Sequence, residues 1–199
     1  MGLSIHYSGR IGNRASLPDL IEEVKDIANI HQWKLSVFKE EFPVHADEGQ
    51  LVDGELYGVA FSPPNCEPVW ISFLSNGRMS TPVALKFFGE QRDEDEDEKK
   101  YLYQLSTKTQ FAGIHIHKVI IHLLKYLKEK YLEDFVLLDE GQYWETNDKS
   151  VLEANFSRYT LLLDIVEDGL QNLPMKPGES MEAYFERMAK GLKRKGGQK

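Results

Sequence analysis

The residues from 101 to 139, YLYQLSTKTQFAGIHIHKVIIHLLKYLKEKYLEDFVLLD, decide the fold that this sequence predicts. Apolar and polar side chains alternate over residues 101–107, which is typical of a strand. From about Gly113 to Tyr131 the apolar residues recur at helical spacing, and residues 134–139 form the short apolar run of a buried strand. We therefore predict a strand–helix–strand crossover unit, whose connection is right-handed if the two strands run parallel.

A second strand–helix–strand pattern lies at the N-terminus, over residues 3–38. Residues 3–7 predict a short strand, residues 17–31 predict an amphipathic helix, and residues 33–38 predict another strand. The stretch 8–16 between the first strand and the helix contains two glycines and is predicted to be a loop. The chain is therefore expected to contain two crossover helices.

Three more strands are predicted in the middle of the chain, over residues 55–61, 68–74 and 80–88. The dipeptide Asn76-Gly77 tolerates positive φ at both positions, so we expect a hairpin between the last two of these strands. Because strands joined by hairpins pair antiparallel, the sheet is expected to be largely antiparallel.

Two helices are predicted in the C-terminal part of the chain. Ser150 and Glu153 fit a capping box that begins a helix ending near Gln171. After a break that contains two prolines and a glycine, a last helix is predicted from about Met181 to Lys193.

Together these elements predict an α+β protein with a mixed, largely antiparallel sheet of about six or seven strands, two crossover helices and a C-terminal helix pair. We expect residues 1–172 to form a single α+β domain. Residues 173–194 are expected to form a C-terminal helix that packs on this domain or on a partner, and residues 195–199 a disordered basic tail.

The composition excludes several classes of protein. The chain has 199 residues, is 41% hydrophobic and carries a formal net charge of −8. That charge disfavours nucleic acid as a partner, and the absence of any apolar run of ~18 residues disfavours a membrane. The N-terminus lacks an apolar signal core and Cys66 is the only cysteine, so we expect a cytoplasmic protein. The acidic run Asp93–Glu98 lacks the glycine of a calcium-binding loop and is expected to be a solvated surface loop.

The crossover unit predicts a candidate site at one rim of the sheet. The start of its helix and the loop after its second strand lie at the same end of such a unit. This placement brings Lys108, His115 and His117 toward the segment that follows Asp139. Imidazoles beside carboxylates form general acid–base pairs, and aromatic side chains line ligand pockets. The predicted catalytic residues are His115, His117, Glu140 and Glu145, and the predicted ligand-binding residues at this rim are Lys108, Tyr143 and Trp144. The plainer alternative is ordinary helix capping and a structural tryptophan.

A second candidate lies in the stretch Ser8–Arg14, SGRIGNR, before the first helix. Glycines allow close backbone approach, and the guanidinium groups of Arg10 and Arg14 are suited to a carboxylate or a phosphate. The glycine spacing matches neither the dinucleotide-binding nor the P-loop pattern, so the alternative is a plain turn with two solvated arginines.

The sequence assigns no metal site and leaves any cofactor unknown. Positions two apart on a helix diverge by ~200°, so His115 and His117 cannot share one ion there. With a single cysteine, the cysteine-rich classes of zinc site are also excluded.

Three functions remain open at this point. The leading one is the binding of a small polar or anionic ligand, or of a protein partner. The first alternative is a hydrolase-like enzyme, metal-assisted or not, that uses the histidine and carboxylate site. The second is a homo-oligomeric interaction or regulatory protein that associates through its C-terminal helices, by the apolar stripe of Met181, Tyr184, Phe185 and Met188.

Overall fold

The computed structural model describes residues 3–43, 54–89, 100–172 and 174–187. The chain divides into two compact units, Met1–Asn155 and Phe156–Lys199. The predicted acidic loop at 93–98 and basic tail at 195–199 lie outside the described residues. No helix in the described part of the chain combines the length and the apolar character that crossing a bilayer requires.

The first unit contains two three-stranded antiparallel sheets rather than the single larger sheet that the sequence predicts. In sheet 1, β1 (Ser4–Ile11) lies between β5 (Leu105–Lys108) and β6 (Leu132–Asp139). In sheet 2, β3 (Tyr57–Ser62) lies between β2 (Lys34–Val37) and β4 (Val69–Phe73). The predicted α+β class is confirmed, and the predicted single sheet is wrong.

The helices and a 3₁₀ turn occur along the chain in the following order. In the first unit, a 3₁₀ turn at Arg14–Ser16 leads into α1 (Leu17–Ile30), and α2 (Pro82–Phe88), α3 (Gly113–Lys130) and α4 (Tyr143–Thr146) follow. The long α5 (Lys149–Asn172) crosses the boundary between the two units, and a short α6 over residues 181–187 lies in the second unit.

The stretch 101–139 forms the predicted crossover, with two differences. Residues 101 and 102 are helical, so the first strand begins only at Leu105. Both β5 and β6 run antiparallel to β1 and lie on opposite sides of it. They are therefore parallel to each other, and α3 connects them past the intervening β1. The N-terminal pattern is not a crossover within one sheet, because β1 belongs to sheet 1 and β2 to sheet 2.

Both α1 and α3 bury an apolar stripe at helical spacing, as the sequence predicts. On α1 the stripe includes Leu20, Ile21 and Val24, and the helix packs against β3. On α3 it includes Ile120 and Leu124, and the helix packs against β6. Apolar burial of this kind stabilises the fold by about 25 cal/mol for each Å² removed from water.

Residues 8–11 continue β1 and do not form the predicted loop. They pair with β6 on one side, and on the other Ile11 N donates to Gly77 O and Met79 N donates to Gly9 O, both at 2.9 Å. Gly9 allows close packing against Phe135, since a Cβ on Gly9 would lie 3.0 Å from Phe135 Cδ2. The predicted turn at Asn76-Gly77 is present, and its second arm joins sheet 2 to β1.

The segment 80–88, predicted as a strand, contains α2. Thr81 Oγ1 accepts a hydrogen bond from Ala84 N at 3.1 Å, and Pro82 occupies the first turn of the helix, where its missing N–H costs nothing. The predicted capping box of α5 is also replaced. Asp148 Oδ1 accepts from Ser150 N at 2.7 Å, and Glu153 pairs with Lys149.

Tyr7 joins the two sheets through its hydroxyl. Tyr7 Oη donates to Trp70 O at 3.1 Å and accepts from Trp70 N at 3.0 Å, and the side chain is almost fully buried. Burial raises the pKa of Tyr7 to about 12, so the hydroxyl keeps its proton across the neutral range.

The Tyr7→Phe variant tests this connection. It removes both hydrogen bonds and leaves the partly buried N–H and C=O of Trp70 without these partners, so we expect the free energy of unfolding to fall by about 1–3 kcal/mol. Urea denaturation measures the change. Tyr101→Phe, at an exposed tyrosine, is the control and is expected to change it by less than about 0.5 kcal/mol. Equal stability of Tyr7→Phe and the native chain would contradict the role of this hydroxyl.

Candidate functional site

The carboxyl ends of β5 and β6 meet at one rim of sheet 1, as the crossover predicts. Lys108 at the end of β5 pairs with Ser4, and Asp139 at the end of β6 pairs with Ile5. The helix α3 begins just after β5, so His117 in its second turn reaches this rim. His117 Nε2 lies 3.1 Å from Asp139 Oδ1 and 3.2 Å from Oδ2.

The Asp139 carboxylate organises the loop that follows β6. It accepts hydrogen bonds from the backbone N–H groups of Gly141 at 2.7 Å, Tyr143 at 2.7 Å and Trp144 at 3.0 Å. Burial acts to raise the pKa of Asp139, but the hydrogen bond and charge of His117, together with these N–H donors, outweigh it and lower the pKa. The carboxylate is therefore held ionised at the start of α4.

Thr109, His117 and Asp139 form a buried series of hydroxyl, imidazole and carboxylate. Thr109 Oγ1 lies 2.8 Å from His117 Nδ1 and 3.4 Å from Leu3 O. A neutral imidazole protonated at Nε2 donates to Asp139 and accepts from the threonine hydroxyl. An imidazolium donates to both, and the hydroxyl then turns to Leu3 O.

Burial decides what this series does. The exposed fraction is 0% for Thr109, 0% for His117 and 2% for Asp139. The order of groups is that of a nucleophile, a base and an orienting acid, but an attacking hydroxyl must reach its substrate. In this conformation the series orders the rim of the sheet and holds α4 in place.

The other predicted catalytic residues lie apart from that series. Glu140 Oε2 accepts from Ser4 N at 2.7 Å, and its Oε1 lies 3.6 Å from His6 Nε2. His115 is exposed in the first turn of α3, and Glu145 is exposed on α4. The catalytic role predicted for His115, His117, Glu140 and Glu145 stays a prediction.

A cleft of ≈ 280 Å³ opens where β1 meets the turn after Asn76. Its walls bring together a hydroxyl, an amide, a carboxylate and two guanidinium groups, from Ser8, Gly9, Arg10, Asn76, Arg78 and Asp134. We call this the arginine cleft. The backbones of Arg10 and Arg78 form an antiparallel bridge, which places the two arginines directly opposite each other.

The two arginines of the cleft have different partners. Arg10 Nη2 lies 3.0 Å from Glu133 Oε2, and its Nε lies 3.0 Å from Asp134 Oδ2. The guanidinium of Arg78 stacks on Tyr103, with 3.6 Å from Cζ to the ring centroid. Among the described residues, no carboxylate lies within 4.0 Å of Arg78.

The structure separates the remaining predicted ligand-binding residues. Arg14 lies outside the walls of the arginine cleft, with its Cζ 5.5 Å from the centroid of the Phe42 ring. Lys108 Nζ lies 5.3 Å from the centroid of Phe111. Tyr143 and Trp144 lie at the rim beside α3, where lysine side chains surround them. The ligand-binding role predicted for Lys108, Tyr143 and Trp144 stays a prediction.

Sequence reasoning missed Arg78 and Asp134 as neighbours of Arg10. The Asn76-Gly77 turn was a signal for a hairpin, but no local pattern shows that its second arm pairs with β1. Over the described ranges, no group of three or more histidine, cysteine, aspartate or glutamate side chains is placed to hold a metal ion.

The C-terminal residues predicted for self-association are not all exposed. Met181 and Phe185 are exposed, whereas Tyr184 is buried. Met188 lies outside the described residues. Self-association through these helices stays a prediction.

No match to this chain is found among models of known protein families, curated proteins or solved structures.

The Asp139→Asn variant tests the rim. An amide cannot accept the same set of charge-assisted hydrogen bonds, so we expect the free energy of unfolding near neutral pH to fall by about 3 kcal/mol. Asp26→Asn, at an exposed position on α1, is the control. Urea denaturation compares the variants.

The pH dependence of stability provides a second readout. Since the pKa of Asp139 is lower in the folded chain than its value of about 3.9 in an unfolded chain, its contribution is present above about pH 4. It is lost as the pH falls through the folded pKa. Below about pH 4 we expect the native chain to lose stability more steeply than Asp139→Asn. Parallel acid profiles would contradict this account.

Proposed function

We propose that this protein is a binding module whose arginine cleft takes a small molecule carrying a carboxylate or phosphate group. The observation that carries the proposal is the pairing of Arg10 and Arg78 across the bridge between β1 and the turn after Asn76. Two like charges directly opposite each other on neighbouring strands are destabilising unless an opposite charge compensates them.

The carboxylates in place compensate only one side of this pair. Glu133 and Asp134 both lie against Arg10, whereas among the described residues no carboxylate pairs with Arg78. The two carboxylates balance the two guanidinium groups in formal charge, but both contact Arg10, so the guanidinium donors of Arg78 can still bind an anion. Carboxylate and phosphate oxygens match the fork of donors that a guanidinium presents.

Arg78 is held in a fixed orientation for such a ligand. Its guanidinium stacks on Tyr103, Asn76 Oδ1 accepts from Arg78 N at 3.0 Å, and Asn76 Nδ2 donates to Tyr103 Oη at 3.3 Å. A side chain positioned before binding loses less conformational entropy when the ligand arrives. Ser8 also lines the cleft.

The size and charge of the cleft limit the ligand. Asp134 repels an anion that extends along β6, so the anionic group is confined to the side of Arg78. A volume of ≈ 280 Å³ suits a small metabolite rather than a polymer.

The Arg78→Gln variant tests the proposal. Calorimetric titrations with a panel of small carboxylates and a panel of small phosphates identify the ligands of the native chain and tell the two classes apart. For any ligand found, we expect Arg78→Gln to weaken binding roughly tenfold or more, because a charge-assisted pair is lost. Arg78→Lys keeps the charge without the fork and is expected to bind with intermediate affinity.

Arg158→Gln is the matched control, since Arg158 is exposed and does not line the cleft. It is expected to bind like the native chain. Circular dichroism establishes that Arg78→Gln is folded. The proposal fails if neither panel binds the native chain, or if folded Arg78→Gln binds as tightly as Arg158→Gln.

A further inference from the structure

Three lysines gather around two aromatic rings at the rim, on the face of α3 turned toward α4. Lys118 Nζ lies 5.2 Å from the centroid of the Tyr143 ring, and Lys125 Nζ lies 5.9 Å from it. Lys125 Nζ and Lys128 Nζ each lie 5.6 Å from the centroid of the Trp144 ring. We call these five residues the lysine patch.

The helical spacing and the Asp139 network together create the lysine patch. Positions seven apart and three apart on a helix share one face, so Lys118, Lys125 and Lys128 project together. The hydrogen bonds from Tyr143 N and Trp144 N to Asp139 fix α4 beside this face. The patch therefore rests on two rigid elements and not on a loop.

The three lysines of the patch form no ion pair with the residues that the structure describes. Among the described residues, no carboxylate lies within 4.0 Å of these three lysine side chains, although the exposed Glu129 and Glu145 are neighbours in sequence. His122 lies between Lys118 and Lys125 on the same face. Burial first, and then the charges of Lys118 and Lys125, lower the pKa of His122.

The two aromatic rings offset only part of the repulsion between the three lysine ammonium groups. A lysine over an aromatic ring gains about 0.5–1 kcal/mol at an exposed site, and here three ammonium groups share two rings. A row of carboxylates on a binding partner would balance the remaining positive charge of the three lysines. The chemistry of this face thus fits an anionic partner.

We propose that the lysine patch is a docking surface for an acidic peptide segment of a partner protein. A nucleic acid fits less well for two reasons. The ammonium groups of Lys125 and Lys128 already lie over the Trp144 ring, on which a base would have to stack. The net charge of −8 also repels a long phosphate backbone more than a short peptide.

The test measures the fluorescence anisotropy of a labelled hexapeptide of alternating aspartate and glutamate on titration with the full chain at low ionic strength. The triple variant Lys118→Gln/Lys125→Gln/Lys128→Gln is expected to weaken binding on the order of tenfold, because three exposed charge pairs are lost. The triple control Lys34→Gln/Lys86→Gln/Lys149→Gln removes the same charge elsewhere and is expected to lose less than about threefold.

Two further measurements separate the outcomes. Binding is expected to disappear at about 1 M salt, where the Debye length falls to ~3 Å. A labelled single-stranded oligonucleotide of six bases is titrated in parallel and is expected to bind more weakly than the peptide. The proposal is overturned if the native chain does not bind the peptide, if the two triple variants lose equal affinity, or if the oligonucleotide binds more tightly.

Discussion

The pairing of β1 on both of its edges is the constraint on which the rest of the structure depends. One edge pairs with β6 along most of its length, and the other pairs first with β5 and then with the turn at 77–79. The strand therefore links sheet 1 to sheet 2 and brings Arg10 opposite Arg78. Both the buried series at the rim and the arginine cleft lie along this one strand, at its opposite ends.

The charged groups at the two ends of β1 differ in how they are paired. At the rim, the Asp139 carboxylate is enclosed by donors from His117 and from three backbone N–H groups, so its charge is satisfied inside the protein. At the other end, Arg78 keeps its charge at the surface, stacked on Tyr103. Buried charge that is fully paired specifies structure, whereas fixed surface charge without a partner is the usual basis of ligand recognition.

Local patterns in the sequence predicted the elements better than their assembly. The helices α1 and α3 follow from apolar residues at helical spacing, and the approach of His117 to Asp139 follows from the topology of the crossover. Residues 80–88 were predicted as a strand because the Asn76-Gly77 hairpin signal precedes them, whereas the structure shows that Thr81 and Pro82 begin a helix there. Of the arginine cleft, the sequence indicated Ser8, Gly9 and Arg10 but not Arg78, since Arg10 and Arg78 meet through a backbone pairing that neither local sequence encodes.

The central claim is that Arg78 binds an anion beside β1. Nuclear magnetic resonance tests this claim most directly. Titration of the ¹⁵N-labelled chain with acetate and with inorganic phosphate follows every backbone amide and the arginine Nε–H groups. The account predicts that at least one of these anions produces saturable shifts confined to the amides of Gly9, Arg10 and Arg78 and to the Nε–H of Arg78. Shifts that are absent there, or that saturate only at another surface, would contradict it.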